Sequence, residues 1–293
     1  MTAAPPRAAS GAPETLAGPP LHVRSAFGVR ESEPRPRADL PGPAWVCDTV
    51  LLRPVTDTVV AAWSAGALEE LAAAGVDAVR LAHPIRASDG RRAVAGWTAC
   101  HDLRGSVEAR HDDVVAMSLR LHRGTAALAR PRVVDDRDDI LARADRAAFA
   151  ERSPHLGPAA LDPDTGGTLF AELARRRRPL AGTPQLVHGD LFGTVLFDGA
   201  VGAPGEEAAP AILDVVPFWR PVSWAAAVVV VDALAWGGAD PGLVERWAHL
   251  EAWPQALLHA LLFRLAVHAQ HPACTRASLQ GLEHAARLVV ATL

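Results

Sequence analysis

Lysine, asparagine and tyrosine do not occur in the 293 residues, so all 29 residues of the lysine-plus-arginine count are arginines. A Walker-type phosphate loop and a pyridoxal Schiff base both need lysine, and a papain-like triad needs asparagine, so these three chemistries are excluded. Codon bias alone can produce such gaps, and the exclusions hold whatever the cause. Cysteine is scarce too. Cys47, Cys100 and Cys274 lie far apart and form no CxxC pair, which fits a reducing compartment better than a disulfide framework. The longest apolar run, residues 224–231, ends at Asp232; it is far too short to span a bilayer, and the first 20 residues hold no apolar leader. A cytoplasmic protein without a membrane partner is expected. The net charge of -4 supplies no general attraction for nucleic acid. Neither a GxSxG elbow nor a GxGxxG turn is present, which removes the α/β-hydrolase and dinucleotide-binding classes.

What is present is a globular composition, 49% hydrophobic and 21% charged, on a chain long enough for about two domains. Residues 1–20 are rich in Pro, Ala and Gly without periodicity and read as a flexible tail, and residues 31–43 read as irregular. AWVCD and TVLLRPV then run apolar at strand length, and Asp89-Gly90 between two further runs signals a hairpin. Between them, residues 56–75 place Val60, Trp63, Ala67 and Leu71 on one helical face, with Gly75 as a stop. From His101 the pattern turns helical. Only QLVHGD leading into TVLFDG, and APAILDVV, interrupt it as strands.

Those interruptions carry the chemistry. QLVHGDLFGTVLFDG, residues 185–199, puts Asp190 just after an apolar strand. A hairpin follows, and PAILDVVPFWRP, residues 210–221, ends its first strand at Asp214. Two carboxylates from neighbouring strands are expected to converge. HGDLFGTVLF and ILDVV resemble the catalytic loop and metal-binding Asp of the aminoglycoside phosphotransferase and choline kinase-like superfamily, and residues 217–240 resemble an actinobacterial branch of it. The resemblance implies an α+β, two-lobed protein kinase-like fold. Its parts would be a small β-rich lobe over 21–98, a hinge near residues 96–100 and a mostly helical lobe over 99–293. It further implies ATP as co-substrate, magnesium, and a hydroxyl of a small molecule as acceptor. Asp190 would orient or deprotonate that hydroxyl, with His188 in the same motif and Arg220 as a phosphate or acceptor contact. Asp214 would hold magnesium, and Asp232 would brace the loop.

The chain departs from that pattern at three places. Thr194 stands where the superfamily has its metal-binding Asn, and loss of one metal ligand costs on the order of tenfold to a thousandfold in rate. Arg53 replaces the phosphate-binding Lys of the small lobe, a different geometry with the same charge, and Glu70 is its expected helix partner. The glycine-rich loop reduces to Gly42 between two prolines, and proline contributes no N–H donor. An ATP- and magnesium-dependent phosphotransferase is therefore weighed against a nucleotide-binding or inactive pseudokinase with a binding or regulatory role. Outside this motif, His268, His271 and Cys274 have a metal-like spacing that Pro272 interrupts, and the arginines at 175–178 read as a solvated helix terminus.

Overall fold

The computed structural model describes residues 18–151, 161–199 and 208–293. Its first part is a short helix, α1 (Leu21–Ala26), and strands β1 (Arg35–Pro36), β2 (Trp45–Cys47) and β3 (Val50–Pro54). Helix α2 (Thr58–Ala74) follows, then β4 (Arg80–Leu81), β5 (Pro84–Ile85), β6 (Ala93–Val94), β7 (Trp97–His101) and β8 (Ser106–Val107). The larger part comprises α3 (His111–Thr125), α4 (Arg132–Asp136), α5 (Ile140–Ala148), a 3-10 turn at Pro163–Thr165 and α6 (Gly167–Ala174). It continues through β9 (Gln185–His188), β10 (Leu196–Asp198), β11 (Ala208–Ile212), β12 (Pro217–Arg220), α7 (Val222–Trp236), α8 (Leu243–Arg246), α9 (Trp253–Gln270) and α10 (Arg276–Val290).

Alternation along β3 decides where Arg53 points. Val50 and Leu52 join Trp45, Cys47, Trp97 and Ala99 in a small core beneath α1, while Leu51 joins Val46, Cys100 and the helices in the main core. Successive strand residues face opposite sides, so Arg53 shares the side of Leu51 and faces the large lobe. The antiparallel order β1-β2-β3-β7-β5, with β6 also on β7, holds this register. Helix α2 covers the inner face. Asp57 caps it by accepting from the N–H groups of Val59 and Val60, Gly75 ends it in the left-handed region, and its buried stripe is Ser64, Ala67, Leu68 and Leu71.

The large lobe packs around α7 and α9. Residues 223–235 of α7 are all buried, and so is nearly every side chain of α9 from Trp253 to Ala269. A helix apolar all round is a core helix. Among the described residues no helix is long and apolar enough to cross a membrane.

Several expectations are corrected here. Residues 18–20, expected in the tail, lead directly into α1, which closes the small core; the rest of the expected tail, residues 1–17, lies outside the described residues. The hinge expected at residues 96–100 is instead a tight turn followed by β7. Ala95 and Gly96 both have positive φ between the paired residues Val94 and Trp97, the geometry of a two-residue hairpin. Strand β7 runs through residues 98 and 99, where the lobe boundary was expected, because it is the sheet's central strand, bonded to β3, β5 and β6. Strand β9 pairs with β12, while β10 pairs with β11 and β8. The aspartates therefore follow strands of two different sheets. Finally, β11 pairs in parallel with β4, and Ala82 N–H donates to Ile212 O at 3.0 Å, so the two lobes share a sheet.

Candidate active site

The segment after β9 turns on a glycine because nothing larger fits. A Cβ on Gly189 would lie 2.3 Å from the Phe218 ring of β12 and 3.1 Å from Trp224. Its N–H donates to Val216 O at 3.1 Å, which fastens the turn to the residue just before β12. His188, almost wholly buried, organises the next step. Its Nδ1 accepts the Asp190 N–H at 3.1 Å, so the ring proton sits on Nε2, 3.8 Å from Asp214 Oδ1. One imidazole thus stands between the two aspartates of the motif.

A second histidine holds the first. The His188 N–H donates to Nε2 of His122 on α3 at 2.9 Å, and His122 Nδ1 lies 3.3 Å from the hydroxyl of Ser118, one turn earlier. Burial, with a contribution from His188, pushes the His122 pKa down to about 3, so this ring is neutral.

The two carboxylates have different partners. Asp190, 19% exposed, accepts from Nη2 of Arg264 on α9 at 2.8 Å, and that arginine side chain is only 8% exposed. The same guanidinium donates from Nε and Nη2 to the two oxygens of fully buried Asp232 on α7. Burial opposes the charge on Arg264, yet Asp232 and Asp190 outweigh it and hold its pKa above the usual arginine value. Asp214, 37% exposed, accepts from Nη1 of Arg53 at 2.9 Å. This pair spans the lobes, as the alternation along β3 requires. Ser64 of α2 supports the same loop, its Oγ accepting the Val215 N–H at 2.7 Å.

Of the residues expected from sequence, the structure brings together His188, Asp190, Asp214 and Arg53, with Asp232 behind Asp190. It separates the others. Glu70 is exposed and makes no ion pair among the described residues, because the buried stripe of α2 passes through residues 64, 67, 68 and 71; its neighbour Glu69 pairs instead with Arg86 and Arg92. Arg220, expected as a phosphate or acceptor contact, is engaged by acidic side chains instead. It lies opposite Gln185 on the β9–β12 ribbon, grips Asp145 and Glu151 with both ends of its guanidinium, and covers the Phe149 ring at 3.8 Å. Thr194 lies in the right loop, but its hydroxyl donates to Leu191 O at 2.7 Å and Asp190 O at 3.3 Å, closing the turn rather than facing a cation.

In place of a glycine-rich cradle, the β1–β2 connection is tied down by Arg37, which pairs with Asp39 and with Asp102 just past β7. The spaced ligands near the end of α9 are also spoken for. His268 contacts Thr165 O at 2.6 Å and Ser278 Oγ at 2.8 Å, and His271 accepts the Ala273 N–H. In the run 175–178, Arg177 donates to the terminal carbonyls of α5 at residues 147 and 148.

Arg264, His122 and Ser64 were missed from sequence. The signal for Arg264 was its position alone in the apolar helical run LLHALLFRLAV, since a charge buried there requires an anion. Asp214, a partly exposed hard carboxylate, fits magnesium as one ligand alongside phosphate oxygens and water. Thr194 as placed does not. Among the described residues no group of three or more His, Cys, Asp or Glu side chains is arranged to hold a metal ion.

No protein-family model and no curated protein matches the chain. Among solved structures it is similar to a microcompartment-associated aminopropanol kinase, covering 92% of this chain and 94% of that one at a TM-score of 0.62. The fold is kinase-like. With 16% identity, the likeness carries the fold alone, and the aminoglycoside phosphotransferase resemblance rests on its motifs.

Proposed function

We propose that the chain is an ATP- and magnesium-dependent phosphotransferase acting on a hydroxyl of a small molecule. The observation that carries this reading is the placement of Asp190 and Asp214 on two sides of the buried His188 ring, with Arg53 reaching Asp214 from the small lobe. Phosphoryl transfer asks little covalent chemistry of a protein beyond positioning and charge neutralisation. Asp190 orients the acceptor hydroxyl and takes its proton as the new P–O bond forms and the bond to the bridging oxygen of ADP breaks. Arg53 supplies positive charge toward the phosphates. Asp214, a partly exposed carboxylate, would hold a magnesium ion, which would supply positive charge to offset that of the phosphates. His188 holds the Asp190 main chain on one side of its ring and lies beside Asp214 on the other, and Gly189 lets the loop pass under Phe218.

Amino alcohols are the first acceptors to test, because the structural neighbour is an aminopropanol kinase. ATP consumption with magnesium and a panel of such compounds should depend on Asp190, and Asp190→Ala should lose at least about a thousandfold in kcat. A panel that gives no Asp190-dependent turnover, together with no thermal shift from millimolar ATP and magnesium, would sink the reading.

The second reading, an inactive nucleotide-binding pseudokinase, is favoured by one observation: the Thr194 hydroxyl is committed to loop carbonyls. Under it, ATP shifts the melting temperature without turnover, and Thr194→Asn confers or raises activity.

A further inference from the structure

We propose that Arg264 is the positioning residue of Asp190, fixing the carboxylate against the acceptor hydroxyl, and that Asp232 fixes Arg264. The proposal rests on the phosphotransfer reading and adds a residue that neither the motif nor the fold assigns. A guanidinium is planar and its N–H bonds leave at set angles. Nε and one hydrogen of Nη2 are spent on the two oxygens of Asp232, which is almost wholly buried in α7. The guanidinium plane is thereby set, and so is the direction of the second Nη2 hydrogen, which meets Asp190 Oδ1 at 2.8 Å.

The backbone of Asp190 is held as well. Its N–H goes to His188 Nδ1, and its carbonyl accepts from Thr194 Oγ. Main chain and side chain are thus anchored independently, one by the loop and the other by the α7–α9 pair. An ammonium at 264 could not do this, because its hydrogens rotate about the Cε–Nζ bond and define no plane. Arg264 and Asp232 are both buried, so water does not compete for the bonds between them.

A misplacement of about 1 Å at a reacting group costs roughly a hundredfold in rate. The test replaces the buried pair together, Arg264→Met with Asp232→Leu, because apolar replacement of a whole buried ion pair commonly preserves a fold that single removal would break. The expected result is a folded protein whose KM for ATP is little changed and whose kcat falls by roughly a hundredfold. Arg264→Lys, which keeps the charge and the buried stem, should fail to restore kcat. Wild-type kcat in either folded variant would overturn the proposal.

A crystal structure of the double variant distinguishes failure of positioning from failure of phosphotransfer. Asp190 turned away from its present direction supports positioning even if the parent protein transfers no phosphate. An unmoved Asp190 refutes positioning even if the parent is an active kinase.

Discussion

The two aspartates of the site are each paired with one arginine, and the pairs are built oppositely. Asp190 and Arg264 belong to the same lobe, lie largely out of water and share a third charge, Asp232. Asp214 and Arg53 come from different lobes and keep substantial contact with solvent. The first arrangement cannot be opened without stranding a charge in an apolar interior. The second can be exchanged for another cation or for phosphate at small cost, since water and salt already screen it. The lesson is a division of labour: one carboxylate is locked into the interior of a lobe, and the other is held by a partly solvated pair that crosses between lobes.

Removing one member of each pair should break the comparison most sharply. Arg264→Met alone leaves Asp232 buried without its cation and should destabilise the protein by about 3–5 kcal/mol, read as a lowered midpoint in chemical denaturation. Equal stability to the parent would mean that this triad is not buried as described.

The next largest effect is a dependence on acid. His122 has its pKa lowered from 6.5 to about 3 in the fold. Between those values the unfolded chain binds more protons than the folded one, so stability is full above about pH 6.5 and falls as pH drops toward 3. The slope from this one group reaches about 1.4 kcal/mol per pH unit. His122→Gln, which still accepts the His188 N–H, should flatten that slope when the two proteins are compared by urea unfolding between pH 7 and 5. Parallel curves would count against a neutral buried ring.

Arg53→Met tests the exchangeable pair. Its cost to stability should stay within about 1 kcal/mol, while the concentration of ATP needed for half-maximal thermal shift rises roughly tenfold or more through loss of a charge-assisted contact. Unchanged ATP affinity would remove Arg53 from the phosphate site. The smallest effect concerns a turn outside both pairs. Ala95 has a φ of 48°, which an L-alanine adopts reluctantly and asparagine more readily. Ala95→Asn should therefore stabilise by about 0.5 kcal/mol, a rise of 1–2 °C in Tm by scanning calorimetry.

How far the sequence could be read depended on the range of the interaction. The strand-length runs over residues 45–54 were plain, whereas the side on which Arg53 lies had to be seen in the packing of its neighbours. The HGD turn was plain too, although the glycine's reason, the Phe218 ring beneath it, is a contact between strands 29 residues apart. Asp89-Gly90 announced a turn with familiar residues. Ala95-Gly96 did not, because alanine is not an expected left-handed residue. Strand partners were misjudged where nearness in sequence was taken for nearness in space, as with β9, which bonds to β12 beyond the intervening hairpin.

Glu70 failed by a small rotation of one helix. Arg220 failed because its acidic partners, Asp145 and Glu151, lie about seventy residues upstream. Arg264 was legible in principle, as the one charge in the buried run 256–266 of α9, but its counter-charges had to be seen in space.

The hydrogen bonds between β4 and β11 have a mechanical consequence. Residues 80–82 leave the small lobe and are stitched to residues 211–212 of the large one, so the cleft has a seam as well as a connecting strand. Wide gaping would tear that seam. Any separation of the two lobes at this edge therefore has to break backbone hydrogen bonds, not only side-chain contacts.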